Sequence, residues 1–261
     1  MPALQDRVAI VTGASGAIGS DVVTRLASAG ATVIAVDVRP PAIAPDTGSD
    51  GAIIPVALDV TDAPAVSRVV ADLADRLERI DILVNAAGVF GDMTRTDRID
   101  TATWDRYVKV NLSGPFYMIR AVLPHMVSRQ WGRIVNFSSI SATKGGYKQA
   151  HYASAKAGLI GLTRSIALEF APAGLTCNAV LPGPIVTPAL SQAPPDVIEA
   201  ARGRIPAGRL GTISEVAAVV AFLVDPEAGY VNGVSIPVDG GAMLLQFRFA
   251  RRSRHDRPPA G

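Results

Sequence analysis

The stretch "RVAIVTGASGAIGSDVVTRLASAG", Arg7 to Gly30, reads as three pieces. Residues 7–13 form a short run rich in Val and Ile, the pattern of a strand covered on both faces. Glycines 13, 16 and 19 follow within "TGASGAIGS", Thr12 to Ser20. Residues 17–29 then carry helical periodicity, and Gly30 ends it. A strand, a glycine turn and a helix make the first half of a βαβ unit, and the rest of the chain repeats that plan.

Working outward, further strands are predicted at 32–37, 52–59, 81–88, 133–139, 175–183 and 233–241. Helical patterns fill 62–78, 101–129, 150–171, 189–203 and 213–224, and "PPAIAPDTGSDG" (40–51) reads as a loop. Short apolar strands that alternate with helices imply right-handed crossovers and a parallel sheet covered on both faces. The fold class is therefore α/β, with one doubly wound domain over residues 1–245 and a basic appendage over 246–261.

The composition agrees with that plan. Of 261 residues, 49% are hydrophobic and 18% charged, which suits many buried strands. Cys177 is the only cysteine, so no intrachain disulfide forms, and a buried apolar role suits it. The N-terminus lacks a charged-then-apolar leader pattern, and the uncharged run from Ala171 to Pro195 is broken by six prolines. A cytoplasmic chain with no membrane segment is expected. Net charge is +2, but the tail holds five arginines against Asp256, which leaves the body near about −2. That balance gives no general footprint for nucleic acid. The three histidines and one cysteine show no metal-binding spacing, so no metal is expected.

The glycine turn lets the backbone approach a pyrophosphate seated on the helix N-terminus. Gly13, Ser15, Gly16, Ala17, Ile18 and Gly19 are the candidate cradle of a Rossmann-type nucleotide site. Asp37 ends the second strand 18 residues after Gly19, where a carboxylate accepts from an adenosine ribose 2′-hydroxyl and repels a 2′-phosphate. The lesser alternative is that it caps the next turn. The cofactor read from it is NAD(H), with NADP as the alternative because Arg39 offsets part of the repulsion. Asp59, beside Val60 at the end of the third strand, either lies near the adenine or caps the helix at 62.

"HYASAKAG", His151 to Gly158, places Tyr152 and Lys156 one helical turn apart among small residues. A free phenol titrates near 10, too high for efficient proton exchange at neutral pH. An ammonium about 5 Å away, at an effective dielectric of about 20, supplies roughly 3.3 kcal/mol toward the phenolate. The expectation is that Lys156 lowers Tyr152 in a partly dry cleft, and that the small neighbours let cofactor and substrate approach closely.

Taken together, these motifs resemble the short-chain dehydrogenase/reductase family, in its single-domain members of about 250 residues. The likeness spans roughly residues 5 to 245. It rests on "TGASGAIG" (12–19), "NAAG" (85–88), "VNLSGPF" around Asn111, "FSSIS" (137–141), "YASAK" (152–156), "PGPIVTP" (182–188) and "VDGG" (238–241). The resemblance implies a catalytic tetrad of Asn111, Ser139, Tyr152 and Lys156. Ser139 is chosen over Ser138 because it stands 13 residues before Tyr152, the family's usual separation. By the same likeness Lys156 also holds the cofactor ribose, and Asn111 supports a proton relay leading to it. Asn85, Ala86 and Gly88 would close over the cofactor, while Pro182, Gly183, Ile185 and Thr187 would meet its nicotinamide end. One departure stands out: Ala17 occupies the place of the family's second glycine, and Gly16 precedes it. That swap is expected to loosen the pyrophosphate contact.

The implied reaction is hydride transfer between NAD(H) and a ketone or secondary alcohol. Pocket walls are expected from Phe90 to Met93, from Ser141 to Tyr147, at His151, and along a lid from Ala189 to Ile205. Lys144 and Lys148 raise the reading of an anionic or carrier-linked substrate. The resemblance also implies a homotetramer built on the helices at 101–129 and 150–171. The basic tail either crosses to a neighbouring subunit or stays disordered. The main alternative is an NADPH-dependent 3-oxoacyl-carrier reductase. A non-catalytic NAD-sensing Rossmann module would be expected to lack part of the tetrad, and a sugar-nucleotide epimerase would need a further substrate domain.

Overall fold

The computed structural model describes residues 3–39, 51–191 and 194–244. The readings for loop 40–50 and for the basic tail lie outside these residues. Seven strands form one parallel sheet: β1 Val8–Thr12, β2 Thr32–Asp37, β3 Ile53–Ala57, β4 Ile82–Asn85, β5 Gly132–Phe137, β6 Leu175–Pro182 and β7 Ser235–Val238. Their order is β3-β2-β1-β4-β5-β6-β7, with Val8 opposite Thr32 and Ala9 opposite Ile82. The order reverses at β1, so a crevice opens between β1 and β4 at their carboxyl ends. That crevice is where the site lies.

Nine α-helical segments connect the strands: α1 Ala17–Ser28, α2 Ala63–Leu77, α3 Thr101–Val108, α4 Gly114–Ser128, α5 Ser141–Lys144, α6 Ala150–Phe170, α7 Pro188–Ser191, α8 Pro195–Arg202 and α9 Ile213–Val224 among the described residues. All five residues of β1 are buried, and their alternation assigns each to a face. Ala9 and Val11 join Val22, Val23 and Leu26 of α1 and Val216, Val220 and Leu223 of α9. Val8 and Ile10 join Val66 and Val70 of α2, Met118, Ile119 and Val122 of α4, and Ile166 of α6. Each such side chain contributes about 1.5–3 kcal/mol on burial, and truncating Ile10 to Ala would cost about 2–5 kcal/mol. Both faces are sealed.

Several boundaries differ from the sequence reading. The helix expected over 101–129 is interrupted by a π-helical turn, Lys109–Ser113, around Asn111. Strand β5 ends at Phe137, so Ser138 and Ser139 lie past it in the crevice. Sequence reasoning missed α5, which is only four residues long. The region 189–203 holds two short helices, α7 and α8, and the last strand spans 235–238. The cap of α2 is Asp62, which accepts from the Ala65 N–H at 2.9 Å. Asp59 instead accepts from the Thr61 N–H at 2.8 Å within its own turn.

The segment after β7 seats the base of α8's loop. A Cβ on Gly240 would lie 2.9 Å from Ile205, and one on Gly241 would lie 3.0 Å from Pro206. The Ala207 N–H donates to the Gly240 carbonyl at 3.1 Å. No helix among the described residues is long and apolar enough to cross a membrane.

Candidate active site

The glycine turn is built around two close approaches. Gly13 adopts φ +69°, and a Cβ there would sit 2.7 Å from the Ala87 backbone. A Cβ on Gly19 would sit 2.1 Å from the Gly13 carbonyl oxygen. Only glycine fits either place. Gly16 is the N-cap of α1 and contributes no side chain, so the first N–H groups of that helix face outward without a capping group. An anion suits that position. Ala17 lines a groove on the outer side with Ser20, Asp21 and Thr24, whereas Gly16 faces the crevice. The methyl group at 17 therefore does not crowd the crevice, which removes the physical ground for the expected loosening.

The crevice comprises two adjoining cavities. The first, of about 530 Å³, is lined by Gly13, Gly16, Asp37, Asp59, Val60, Ala86 and Gly88, together with Arg106 and Lys109. The second, of about 700 Å³, is lined by Ile18, Asn111, Ser139, Tyr152, Lys156, Pro182, Gly183, Ile185 and Thr187, and it shares Ala86, Gly88 and Val89 with the first. All four residues of the expected tetrad thus border one space. Asp37 is held at the rim: Oδ2 accepts from the Ser15 N–H at 3.0 Å and Oδ1 from the Val38 N–H at 2.8 Å. Ser15 contributes its backbone N–H and does not line either cavity.

Two predicted residues act from behind the wall. Gly19 lies beneath the turn. Asn85 is buried, and its Nδ2 donates to Asn136 Oδ1 at 2.9 Å. Asn136 in turn donates to Thr163 Oγ1 at 2.9 Å, which ties β4, β5 and α6 together. Thr12, missed in the sequence reading, accepts from the Ala87 N–H at 3.1 Å and holds the loop after β4. Its place before the first glycine was the available signal.

Asn111 is buried in the π-turn and grips the loop after β4 from the other side. Its Oδ1 accepts from the Val89 N–H at 3.3 Å, and its Nδ2 donates to the carbonyls of Val89 and Tyr107 at 3.1 Å each. The π-turn gives the asparagine the place that helical propensity alone denies it. A Cβ on Gly88 would lie 2.9 Å from Asn111 Oδ1 and 3.5 Å from Lys156 Nζ. A glycine there keeps both polar ends open to the crevice.

Lys156 is buried, and its Nζ donates to the Phe137 carbonyl at 2.7 Å. Burial lowers its pKa from 10.5 to about 8. Nζ lies 5.8 Å from the Tyr152 ring centroid. Burial also raises the Tyr152 phenol above 10, with the Ser139 hydrogen bond acting the other way. The expectation that Lys156 lowers Tyr152 is not met here, because desolvation dominates. Ser138 is spent on structure, since its hydroxyl donates to the Lys156 carbonyl at 2.8 Å. Ser139 Oγ accepts from the Ser141 N–H at 3.1 Å and borders the cavity.

Other expectations need correction. None of the small residues around Lys156 lines either crevice cavity; Gly158 makes room for Leu112 of the π-turn, whose Cδ2 would lie 3.0 Å from a Cβ. His151 is fully buried behind the wall, edge-on to Tyr107 at 4.0 Å. Lys144 donates to the Ala242 carbonyl at 3.4 Å, Lys148 lies beside Tyr147, and neither borders the second cavity. No cluster that could hold a metal occurs among the described residues.

Comparison with known proteins extends these observations. Residues 13–243 match the protein family described as enoyl-(acyl carrier protein) reductase. A 3-oxoacyl-(acyl-carrier-protein) reductase of Thermotoga maritima is 38% identical over 245 residues, which cover 92% of this chain and 99% of the relative. A 2-dehydro-3-deoxy-L-rhamnonate dehydrogenase (NAD(+)) of a Sphingomonas species is 35% identical over 235 residues, covering 90% and 94%. The crystal structure of levodione reductase superposes with a TM-score of 0.84 at 34% identity, covering 93% of this chain and 100% of that one.

Proposed function

This chain belongs to the short-chain dehydrogenase/reductase family and is an oxidoreductase acting on hydroxyl or keto groups, and from that premise we propose that it transfers a hydride between NAD(H) and a ketone or secondary alcohol. The observation that carries the reading is the second cavity, where Ser139, Tyr152, Lys156 and Asn111 border one space at the carboxyl ends of parallel strands. The nicotinamide, when bound, supplies or receives the hydride. The glycine turn, the uncapped start of α1 and the open face at Gly88 fit a dinucleotide lying across both cavities.

Within that reading, Ser139 holds the substrate oxygen by a hydrogen bond and so fixes the carbonyl carbon for attack. Tyr152 gives its phenolic proton to that oxygen in reduction and takes it back in oxidation. Its raised pKa keeps it protonated at neutral pH, the form reduction needs. Lys156, held on the Phe137 carbonyl, carries the positive charge that stabilises the phenolate once the proton has left. Asn111 positions the loop at Val89 and faces Lys156 across Gly88.

Asp37 supports NAD(H), because its carboxylate stands at the rim of the first cavity and disfavours a 2′-phosphate there. The second reading is the NADPH-dependent 3-oxoacyl-carrier reductase, favoured by the T. maritima relative and by Arg39 two residues beyond Asp37. Initial rates with NADH and with NADPH, against neutral and acidic ketones, separate the two, with Tyr152→Phe as the blank. A homotetramer through α4 and α6 belongs to the proposal, and exposed Phe116 and Leu168 on those helices suit it. Light scattering checks the mass.

A further inference from the structure

Phe90 is a large aromatic that stands 67% exposed on the wall of the second cavity, with its ring edge-on to Tyr152 at 5.1 Å and 69°. An exposed phenylalanine on a loose loop would carry no argument. This one sits on a pinned backbone. Immediately before it, both the N–H and the carbonyl of Val89 are bonded to the Asn111 amide. Two residues after it, the Asp92 N–H donates to the Tyr107 hydroxyl at 3.0 Å, and the Asp92 carboxylate pairs with Arg106. Gly91 between them takes φ +129°, with nothing within 4 Å of a Cβ there. The chain is bent at 91 and anchored on both sides, which leaves the Phe90 ring beside the reacting phenol and mostly exposed.

The charge pattern of the cavity narrows what would cover it. Lys156 is the one charged residue among its described lining residues, and that ammonium is already bonded to the Phe137 carbonyl. Apolar lining comes from Val89, Ile140, Ile185 and Leu190. Lys144 and Lys148 lie outside, so among the described residues no second charge lines this cavity to meet an anionic group next to the carbonyl.

We propose that Phe90 is a specificity-determining residue, and that the substrate is a neutral ketone, or its alcohol, bearing a flat apolar group such as an aryl ring directly on the carbonyl carbon, which stacks against Phe90. The proposal rests on the hydride-transfer reading of the same site. A ring packed on the exposed part of Phe90 stays within reach of Tyr152, so one contact both binds the substrate and sets which face of its carbonyl is presented.

The test measures kcat and KM for an aryl methyl ketone, for 2-butanone and for acetoacetate, with wild type, Phe90→Ala, Phe90→Leu and Phe90→Trp. Nucleotide binding serves as the check that each variant is folded. Wild type should prefer the aryl ketone over both others. Phe90→Ala should lower kcat/KM for the aryl ketone at least about tenfold more than for 2-butanone, mainly through KM, and Phe90→Trp should restore the preference. Equal losses for all three ketones, or a preference for acetoacetate, would overturn the proposal while leaving the hydride-transfer reading intact. If no ketone turns over with either nucleotide, that reading fails, and calorimetric titration of an aryl carbinol still decides the role of Phe90. Weaker binding to Phe90→Ala than to wild type upholds an aryl site, and equal binding refutes it.

Discussion

Lys156 Nζ donates to the carbonyl of Phe137 at 2.7 Å and, with the Ser138 hydroxyl on the Lys156 carbonyl at 2.8 Å, fastens the first third of α6 to the end of β5. Two residues beyond that carbonyl the chain reaches Ser139, and four residues before the lysine stands Tyr152. The two bonds help set the spacing between the hydroxyl that would hold a carbonyl and the phenol that would protonate it. The Phe137 carbonyl also supplies a dipole to an ammonium that has lost its water.

Because burial brings Lys156 to about 8, its charge is present at neutral pH and disappears above that value. Ketone reduction should run at a constant kcat/KM up to about pH 8 and then fall toward tenfold per pH unit, as the stabilising ammonium deprotonates. Tyr152, raised above its ordinary value, should add no loss below pH 8. A pH–rate profile over 6 to 10 checks this, and a profile flat to pH 10 would remove Lys156 from the proposed role.

The same group makes a stability prediction. Its folded value of about 8 lies below the ordinary 10.5, so the unfolded chain binds more protons between those values and stability rises with pH across that window. Lys156→Met should therefore melt higher than wild type at pH 7, and the difference should shrink between pH 8 and 10.5. Calorimetric melts at the two pH values read it directly. A constant difference would mean that lost packing, not charge, governs the variant.

Removing the Asp37 carboxylate tests the nucleotide assignment. Asp37→Ala should lower kcat/KM with NADH about 10- to 100-fold, the worth of a hydrogen bond to a charged group, and should lower it far less with NADPH. It should also loosen the turn at Ser15, whose N–H loses its acceptor. Rates with the two nucleotides that fall by the same factor would assign Asp37 to the turn alone.

Asn111→Ala removes three hydrogen bonds to the backbone of Val89 and Tyr107 from a buried site. The expected cost is about 2–4 kcal/mol of stability, with a fall in kcat as the loop after β4 loses its clamp. Thermal melts and initial rates check both. Unchanged stability with lost rate would place the asparagine in the chemistry and not in the scaffold.

Gly19→Ala would press a methyl group to 2.1 Å from the Gly13 carbonyl, a backbone atom that cannot yield without moving the turn. Stability should drop by about 1–3 kcal/mol, and NADH should bind at least about tenfold more weakly. Gly203→Ala is the matched control: it ends α8 at φ −61° with nothing closer than 3.6 Å to its Cβ, and it should change stability by no more than about 0.5 kcal/mol. Chemical denaturation and fluorescence titration of NADH distinguish the two.

Much of this was legible from local pattern. The seven strands announced themselves as short Val- and Ile-rich runs, because a parallel sheet buries both faces of each strand. The glycine turn and the residues from Asn111 to Lys156 were found from spacing and likeness. What escaped depended on contacts between distant segments. The π-turn at Asn111 had a local signal in Pro115, which has no N–H to return to the Asn111 carbonyl, but the grip on Val89, 22 residues earlier, had none. The direction of the Tyr152 shift could not be read from its spacing to Lys156, because desolvation is set by the whole surrounding fold. Likewise the small residues beside Lys156 suggested room for a ligand, when Gly158 in fact makes room for Leu112.

The contact between Gly240, Gly241 and the Ile205–Pro206 corner bears on the order in which a newly made chain acquires its abilities. Every residue lining the first cavity lies at or before Val110, whereas the second draws on residues as late as Leu190, among them Gly183, against which Asp239 packs just before Gly240. On the ribosome the residues of the first cavity are therefore synthesised long before those of the second, and the turn after β7 adds its contacts to Gly183 and to the Ile205–Pro206 corner later still. A chain cut short before Gly240 would keep every residue lining both cavities and lose the seat of the Ile205–Pro206 corner.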